Sequence, residues 1–595
     1  MPSASPVEYT DWWEFTNGFV PNSNQLEQIP QTIYNGQNVW VKGPGNTVSD
    51  NGAVSVGPVG ANITPAMVSN AVIAGLVGGG TVVSYDGVYW WSGPQGAVGY
   101  ANGVLLGTVG APKTGMGGGA LMFQLGGVAT EAGLLQPGAP TIDANGAPAG
   151  DMAGSYALGV ATLRVGSGAV STVSVASNVV TSTNQQLRIT SPGTVDSALS
   201  GSDLVLLFGT IAGEGSLGVL FRLINADAPV IPGLPAGALT VAQYKAISPS
   251  NPFVVQYNDG ELGNLGFLAN NPPFGGTACV AMGPCMVELG IAGGYGGSPS
   301  NPNNPEAFDP ENIFFLGAQE PITGVLPYLA QGVVYVTTQN SVNVLVLTGT
   351  STTPVIPRGL WGQTGCAQGN ALAMYEDQLY LMSGAGGPVR TQGTLDPDFS
   401  FALPVWEFMQ FLGWTSANTF VFSAPDQGAM IFASGNLALP FMVSQGVWSA
   451  PIVLPGNITA CCTVNGVGIA IVGSTAYKLN AGTGPQGGIW FMSSAFHKGQ
   501  PRHPYVAKSM GMSLKQVGSF HVVAQNALTY SILKNTSQTP ISPLFPWTAP
   551  GVGHQTMSPQ TYATCRNYAL KVSGTLGGQV FNAAQATVTM DPCSY

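Results

Sequence analysis

The sequence predicts an all-β protein: an irregular β-propeller-like platform with an inserted β-sandwich and few short helices. Charged residues make up only 7% of the 595 residues, against about a quarter in an ordinary soluble domain. The 83 glycines and 45 prolines predict frequent turns. Runs of β-branched and aromatic residues repeatedly flank short turn sequences, which is the pattern of β-hairpins.

The hairpin pattern recurs along most of the chain and supplies the platform. Predicted hairpins and their turns cover residues 82–91, 253–260, 332–347, 371–382, 430–443 and 460–472. Turn centres near 339, 377, 435 and 465 fit loosely the spacing of propeller blades, which contain four strands in about 40–50 residues. A set of antiparallel sheets without closure is the alternative.

Residues 138–226 read as a separate small β-sandwich, with short strands at 156–165, 170–175, 187–190 and 204–208. We therefore divide the chain into an N-terminal β region of the platform (1–137), the inserted sandwich (138–226), the propeller-like platform (227–495) and a C-terminal β region that closes the platform (496–595). The best helix candidate is 404–412, which begins at Pro404 after Asp398 and Ser400. Its apolar residues lie all round, so we expect it to be buried.

The charge balance argues against several functions. Lys and Arg total 16 against 27 Asp and Glu, for a net charge of −11, whereas nucleic-acid binding requires clustered cations. The uncharged window 66–83 contains four glycines, which favour loops over a membrane span. The first six residues do not resemble a signal peptide. We interpret the scarcity of charge as surface that other subunits of an assembly cover.

No motif predicts a catalytic, cofactor or metal site, and we predict that the chain is not an enzyme. The G-x-G-x-x-G match at 482–487 precedes a predicted strand instead of a helix, and Pro112 replaces the glycine that a phosphate loop needs before Lys113. Asp396 and Asp398 could serve a glycosidase, although a turn and a helix cap are the simpler interpretation. The four histidines show no ligand spacing: His497, His503, His521 and His554.

Cysteine and tryptophan leave two further expectations. The seven cysteines are expected to be mostly free and buried, with Cys279–Cys285 as the best disulfide candidate. Five tryptophans lie within the first hundred residues: Trp12, Trp13, Trp40, Trp90 and Trp91. They are typical either of a subunit interface or of a sugar-stacking groove.

Three consecutive stretches together resemble the tail nozzle (tail tubular) proteins of short-tailed bacteriophages. They are the hairpin 332–349 (GVVYVTTQNSVNVLVLTG), the segment 354–366 that ends in Gly365-Cys366, and the second hairpin 371–383 (ALAMYEDQLYLMS). The segments 309–315 (DPENIFF) and 496–508 (FHKGQPRHPYVAK) lie where similar segments occur in that family. The sandwich, with Gly154-Ser155-Tyr156 opening a strand, resembles its fibronectin/Ig-like insertion.

This resemblance implies a virion structural protein: a homo-oligomeric ring, a hexamer, that forms a conduit and gate for genome DNA. The implied partners are the portal and adaptor proteins of the head–tail connector and the tail fibre or spike proteins. DNA would pass through the lumen during ejection without specific binding, and assembly would take place in the host cytoplasm. The alternative function is a carbohydrate-binding receptor-recognition protein of a phage tail, or a secreted lectin-like module, with the tryptophans in an exposed groove.

Overall fold

The computed structural model describes most of the chain up to residue 493 and short strands beyond it. The described residues are 7–11, 17–21, 33–42, 47–59, 67–68, 74–77, 79–101, 104–224, 231–317, 319–328, 332–350, 352–362, 364–384, 387–392, 396–482, 488–493, 505–514, 528–534, 545–546, 553–557, 564–565, 568–574, 580–581 and 586–592.

Within these residues, six small sheets follow one another along the chain and form a propeller-like platform; their strands pair antiparallel except Met67–Val68, which pairs parallel with Thr81–Tyr85. Ring sheet 1 consists of Met67–Val68, Thr81–Tyr85, Val88–Ser92, Met122–Leu125 and Val128–Glu131, and ring sheet 2 consists of Ala278–Met282, Cys285–Ile291, Gly296–Asn301, Asn304–Phe308 and Phe314–Phe315. Ring sheet 3 consists of Ile322–Tyr328, Val333–Thr338, Ser341–Leu347 and Val355–Gly362, and ring sheet 4 consists of Leu372–Tyr375, Gln378–Ser383 and Gly387–Gln392. Ring sheet 5 consists of Phe420–Ala424, Ala429–Ser434, Leu437–Met442, Val447–Trp448 and Ile452–Val453, and ring sheet 6 consists of Ile458–Val464, Val467–Val472, Thr475–Lys478 and the N-terminal strand Val54–Pro58.

From ring sheet 2 to ring sheet 6, the first strand of each sheet contacts the first strand of the next, as expected of propeller blades. Ala278–Met282 contacts the strands of ring sheet 1, and the contacts continue from sheet to sheet as far as Ile458–Val464. That strand in turn contacts Met67–Val68 of ring sheet 1. The succession therefore returns to its start, and Val54–Pro58 supplies the outer strand of the last sheet.

Apolar side chains fill the spaces between successive ring sheets. Val83, Trp90 and Phe123 pack against Met286 and Phe308 between sheets 1 and 2. Similar clusters join sheets 2 and 3, sheets 3 to 5, and sheets 5 and 6. Burial of this apolar surface is the main force that holds the sheets together.

A second unit fills the connection between ring sheets 1 and 2. Its strands are Thr141–Asp143, Ala149–Tyr156, Leu158–Leu163, Val180–Gln185, Leu187–Ser191, Leu204–Gly209, Phe221–Leu223, Ala238–Thr240, Phe253–Val255 and Leu262–Leu265, with the short helix Val241–Lys245. Antiparallel pairing joins Leu187–Ser191 to Phe253–Val255, and Phe221–Leu223 to Leu262–Leu265. The sheets of this insertion thus continue past the boundary predicted at residue 226.

The predicted strand at 170–175 is wrong, and a repeat of serines explains why. The backbone amides of Leu158, Val160 and Thr162 donate to the Oγ atoms of Ser177, Ser174 and Ser171 at 2.9–3.0 Å. A partner every third residue is the period of a polyproline-type segment, whereas a strand presents partners with period two.

The hairpin predicted to open at 253–260 is also wrong. Phe253–Val255 pairs with a distant strand, and Asn258 caps a 3-10 turn at Asp259–Glu261 through its side chain, which accepts from the Gly260 amide at 3.0 Å. The other five predicted hairpins are confirmed: 82–91, 332–347, 371–382, 430–443 and 460–472.

The longest described helix is Leu403–Phe411, close to the prediction, and Pro404 lies in its first turn. Its burial differs from the prediction. Val405 and Met409 are buried on one face, whereas Leu403 and Phe411 are 70% and 86% exposed. The helix therefore lies on the surface with part of its apolar side uncovered.

The remaining described strands lie beside the platform. A side sheet contains Ala74–Val77, Val98–Ala101 and Val104–Thr108. The strands after ring sheet 6 pair with N-terminal strands in three further sheets. The first contains Val7–Asp11, Ala586–Pro592, Tyr505–Leu514, Gly553–Met557 and Thr564–Cys565, and the second contains Ile33–Gln37, Ile489–Ser493, Tyr568–Gly574, Leu528–Lys534 and Phe545–Pro546. The third contains Val39–Val41, Thr47–Ser49 and Val580–Phe581. The 3-10 turns are Gly215–Leu217, Asp259–Glu261, Pro310–Asn312, Gly369–Ala371, Ser400–Ala402 and Pro425–Gln427.

Candidate functional site: a buried charge cluster at the insertion

Five charged residues gather where the insertion meets ring sheets 1 and 2. We call them the junction cluster: Lys113, Glu131, Arg164, Asp196 and Glu306. Lys113 precedes the last hairpin of ring sheet 1 and Glu131 ends it, Arg164 and Asp196 belong to the insertion, and Glu306 lies on a strand of ring sheet 2. In a chain with so few charges, this concentration marks the best candidate site.

Two ion pairs organise the cluster. Lys113 Nζ lies 2.7 Å from Asp196 Oδ2, and Arg164 Nη1 donates to Glu306 Oε2. All four side chains are at least nine-tenths buried. Buried charges are tolerated when they are paired and hydrogen-bonded, so each pair fixes the position of the segments that carry it.

The backbone of Gly133 lies at the centre of the cluster. Its carbonyl accepts from Lys113 Nζ at 2.9 Å and Arg164 Nη2 at 3.4 Å, and its amide donates to Glu306 Oε2 at 3.0 Å. Gly133 has φ +80°, and an added Cβ would lie 2.5 Å from the Cα of Pro272. Only glycine fits this conformation and approach.

The carboxyl groups of the cluster differ in their electrostatics. Burial opposes ionisation of Asp196, but the hydrogen bond and charge of Lys113, together with hydrogen bonds from the Ala198 and Leu135 amides, outweigh it and hold the pKa below its usual value. For Glu131, burial prevails over the attraction of Lys113 and raises the pKa. Because the ionised partners are matched in pairs, the cluster is suited to orienting the insertion on the platform.

Two aromatic rings and a cavity adjoin the cluster. Trp90 stacks on Phe123 with ring centroids 4.7 Å apart, and the Arg164 guanidinium lies 5.7 Å from the Phe123 ring centroid. A cavity of about 360 Å³ opens beside them, with Trp90, Phe123 and Glu306 in its lining. Its remaining walls come from the turns at 85–88, 166–168 and 303–305.

The residues singled out from sequence are scattered over the fold. Lys113 belongs to the junction cluster, while Thr114 Oγ1 donates to the Pro273 carbonyl at 3.3 Å. Asp398, two residues before the start of the 3-10 turn Ser400–Ala402, accepts from Arg390 Nε at 2.8 Å and from the Ser400 amide at 2.7 Å. Asp396 is exposed. Asp398 forms an isolated β-bridge with Arg390, and the helix Leu403–Phe411 has no side-chain hydrogen bond at its N-cap, so the predicted turn and helix cap are wrong.

Of the five N-terminal tryptophans, the structure describes three, and Trp90 among them lines the cavity beside the junction cluster. Trp40, Trp90 and Trp91 are buried, and Trp40 Nε1 donates to Asp50 Oδ1 at 2.7 Å. Trp12 and Trp13 lie outside the described residues. The same holds for His497, His503 and His521 and for the centre of the glycine motif at 483–487. For His554 only the backbone is described, and it lies in a strand. Ile489–Ser493 after that motif is a strand, as predicted.

The disulfide candidate is wrong, because Cys279 and Cys285 are both free and buried. Cys279 pairs with Glu288 and Cys285 pairs with Met282 across the same hairpin. The two cysteines are three positions apart in register, so their side chains point to opposite faces of the sheet. Cys366, Cys461 and Cys462 are also free and buried, as expected.

The described residues contain no group of three or more His, Cys, Asp or Glu side chains that could hold a metal ion. No helix in the described part of the chain has the length and apolarity to cross a membrane.

No family model matches the chain, and no curated protein matches it. Solved structures do. BamB from Moraxella catarrhalis is 12% identical, with a TM-score of 0.27 over 72% of this chain and 97% of that one. BBS1N, solved in complex with ARL6DN, is 11% identical, with a TM-score of 0.21 over 47% and 87%. A glycoside hydrolase family 43 arabinoxylan arabinofuranohydrolase from Bacillus subtilis is 9% identical, with a TM-score of 0.14 over 68% and 92%.

Proposed function

We propose that this chain is a virion structural protein, a subunit of the tail nozzle of a short-tailed phage that assembles into a homo-oligomeric ring. The observation that carries the proposal is a pair of separate apolar patches on a chain of very low charge. Monomeric soluble proteins rarely leave contiguous apolar surface uncovered, and such surface marks an interaction site.

The first patch lies on the insertion. We call it the insertion patch, and it consists of Val175, Leu217, Val219, Leu265, Phe267 and Leu268, all exposed. Leu268 is 81% exposed. Four of these residues line a shared groove of about 460 Å³, namely Val175, Val219, Leu265 and Leu268. The groove can receive apolar side chains of a partner.

The second patch lies at the helix that follows ring sheet 4 in the chain. This helix patch consists of Phe399, Leu403 and Phe411, on and before the helix Leu403–Phe411, and the exposed Glu407 lies one helical turn from both Leu403 and Phe411. In sequence, the insertion lies between ring sheets 1 and 2, whereas the helix follows ring sheet 4. The patches thus lie in different parts of the fold. Two different surfaces that bind each other give head-to-tail contacts, which close into a ring when the rotation per copy allows it.

The proposed role is mechanical. A ring of six copies would surround a lumen through which DNA passes, and a net charge of −11 per chain would not retain the phosphates. The charges of the junction cluster are used within the subunit, where they hold the insertion that presents one of the two patches.

Mass photometry and negative-stain microscopy of the purified full chain test the proposal. We expect closed rings, and expect the chain to be present at the tail of particles when the virion is imaged. The variants Leu268→Ser and Phe411→Ser should abolish ring formation. Val128→Ser is the matched control, because Val128 is 66% exposed but lies outside both patches. A wild-type chain that stays monomeric and is absent from particles would contradict the proposal.

A further inference from the structure

We propose that Lys113 and Asp196 of the junction cluster condense to an intramolecular isopeptide bond, an amide between Lys113 Nζ and Asp196 Cγ, with Glu131 as the group that transfers protons. The ion pair between the two side chains is then the precursor of a covalent bond. Lys113 belongs to the platform and Asp196 to the insertion, so the bond would fasten the insertion to the platform permanently. It forms within one chain and does not depend on ring assembly.

The two reacting groups are already in contact. Lys113 Nζ lies 2.7 Å from Asp196 Oδ2, and Cγ is one bond further, so nitrogen and carbon are at most about 3.9 Å apart. The Gly133 carbonyl accepts a second hydrogen bond from Lys113 Nζ at 2.9 Å and so helps to hold the amine in place. Well-oriented groups within one molecule react as if their concentration were about 10⁵–10⁸ M.

Burial makes the reacting forms of the two groups accessible. The side chains of Lys113 and Asp196 are only 8% and 2% exposed. The ionised pair is the resting state, and the reacting state arises when one proton moves from Nζ to the carboxylate, which leaves the net charge of the pair at zero. This transfer is costly in water but less so where the charges have lost their solvation. Exclusion of water also protects the amide from hydrolysis.

Backbone amides around Asp196 are placed to stabilise the intermediate of the reaction. The Leu135 amide donates to Oδ2 at 3.0 Å, and the Ala198 amide donates to Oδ1 at 2.9 Å. Negative charge develops on the carboxyl group when Nζ attacks Cγ, and donors that are fixed in advance stabilise such charge. Each oxygen has its own donor, so the oxygen that remains as the amide carbonyl stays hydrogen-bonded.

Glu131 is the carboxyl group suited to move the protons. It lies two residues before Gly133 and interacts electrostatically with both Lys113 and Asp196, and burial raises its pKa, so it can hold a proton and return it. The free amine attacks Cγ and forms the C–N bond, and one carboxyl oxygen then leaves as water with two of the three ammonium protons. One ammonium and one carboxylate thus give one amide and one water, with no oxidation or reduction.

Intact-mass spectrometry of the denatured full chain, followed by peptide mapping, tests the proposal. We expect wild type to be lighter than its sequence by one water and to give a branched peptide that joins residues 113 and 196. Lys113→Arg keeps the positive charge, but a guanidinium stays protonated and does not attack, so this variant should have the full mass. Glu131→Gln keeps the size of the side chain but cannot transfer a proton, and it should slow the reaction about a hundredfold or more.

A second lysine–aspartate pair in the same chain is the matched control. Lys478 Nζ lies 3.7 Å from Asp426 Oδ2, and these side chains are 37% and 22% exposed. Because water reaches this pair, it should stay ionised and unlinked. A folded wild-type chain that keeps its full mass on prolonged incubation would overturn the proposal. So would a cross-link at Lys478 as complete as that at Lys113, or a cross-link that forms as fast in Glu131→Gln as in wild type. The wild-type mass decides the main point even if a variant fails to fold.

Discussion

The joints between the ring sheets differ in kind from the joint between the insertion and the platform. Between ring sheets 2 and 3 the contact is made by aliphatic side chains such as Val287, Val336 and Leu345. At the insertion, the contact includes two buried ion pairs and the backbone of Gly133. Apolar packing is strong but has little directional preference, whereas paired charges tolerate only one arrangement.

This difference explains where a chain with few charges uses them. A ring of similar sheets needs only complementary apolar faces, because each sheet meets its neighbours over a broad surface. The insertion is joined to the ring at the junction cluster, and its orientation decides where the insertion patch points. Directional ion pairs at that contact would keep the patch in a fixed position for assembly.

The largest expected loss of stability comes from breaking the ion pair between Arg164 and Glu306 at the insertion. Arg164→Met removes the guanidinium and leaves Glu306 buried without its cation, which should lower the free energy of unfolding by about 3–5 kcal/mol. Hydrogen exchange should quicken first in the insertion, at residues 156–209. Loss of protection spread evenly over all six ring sheets would contradict the assignment of this pair to the joint.

Weakening the apolar contact between ring sheets 2 and 3 should speed hydrogen exchange in these sheets instead of in the insertion. Leu345→Ala removes a fully buried side chain between ring sheets 2 and 3 and should cost about 2–5 kcal/mol. Faster exchange is expected in strands of these two sheets, with the insertion unaffected. If the insertion loosened as much as the sheets, the two joints would not be independent.

Ring sheet 2 also carries a buried carboxyl group whose titration sharpens the comparison. Burial raises the pKa of Glu288 to about 7, although the amides of Phe274, Gly275 and Gly276 donate to it. Between its ordinary value of 4.5 and about 7, the folded state binds more protons than the unfolded state. Stability should therefore fall as pH rises through this window, by about 1 kcal/mol per pH unit.

Denaturant unfolding of wild type and Glu288→Gln from pH 4.5 to 7.5 measures how the titration of Glu288 changes the free energy of unfolding. The variant cannot titrate at this position, so the difference between the two curves should change with pH only inside the window. A difference that does not change with pH would show that folding does not raise the pKa of Glu288.

The smallest effect is expected for an ion pair that does not lie at a joint. Arg188 pairs with Asp143 at 2.8 Å within the insertion, and both side chains are partly exposed. Arg188→Met should cost about 0–1 kcal/mol, as for other solvent-accessible pairs. A loss as large as that of Arg164→Met would mean that burial at the joint is not what gives the junction cluster its importance.

Local patterns in the sequence were enough to predict most of the platform. The hairpin around Gln339-Asn340 is recognisable because its strands and turn are adjacent in sequence. The junction cluster could not be predicted in this way, since Arg164 and Glu306 are 142 residues apart. The only available signal was the rarity of charge, which makes Lys113 and Arg164 conspicuous in apolar surroundings.

Two other predictions were wrong for the same reason, because they depend on contacts between residues that are far apart in sequence. The predicted burial of the helix at Pro404 assumed a covering layer, but packing reaches Val405 and Met409 and leaves Leu403 and Phe411 uncovered. The strand Phe253–Val255 was assigned to its sequence neighbour, whereas its partner Leu187–Ser191 lies more than sixty positions earlier. Non-local pairing of this kind leaves no mark on a single sequence.

The most direct test of the proposed assembly mixes two variants that are each unable to form rings. Leu268→Asp breaks the insertion patch, and Phe411→Asp breaks the helix patch. If the patches bind each other between copies, each variant alone is a monomer, and an equimolar mixture gives a one-to-one dimer in sedimentation velocity. A mixture that remains monomeric, or either variant alone forming dimers or rings, would contradict head-to-tail assembly through these two surfaces.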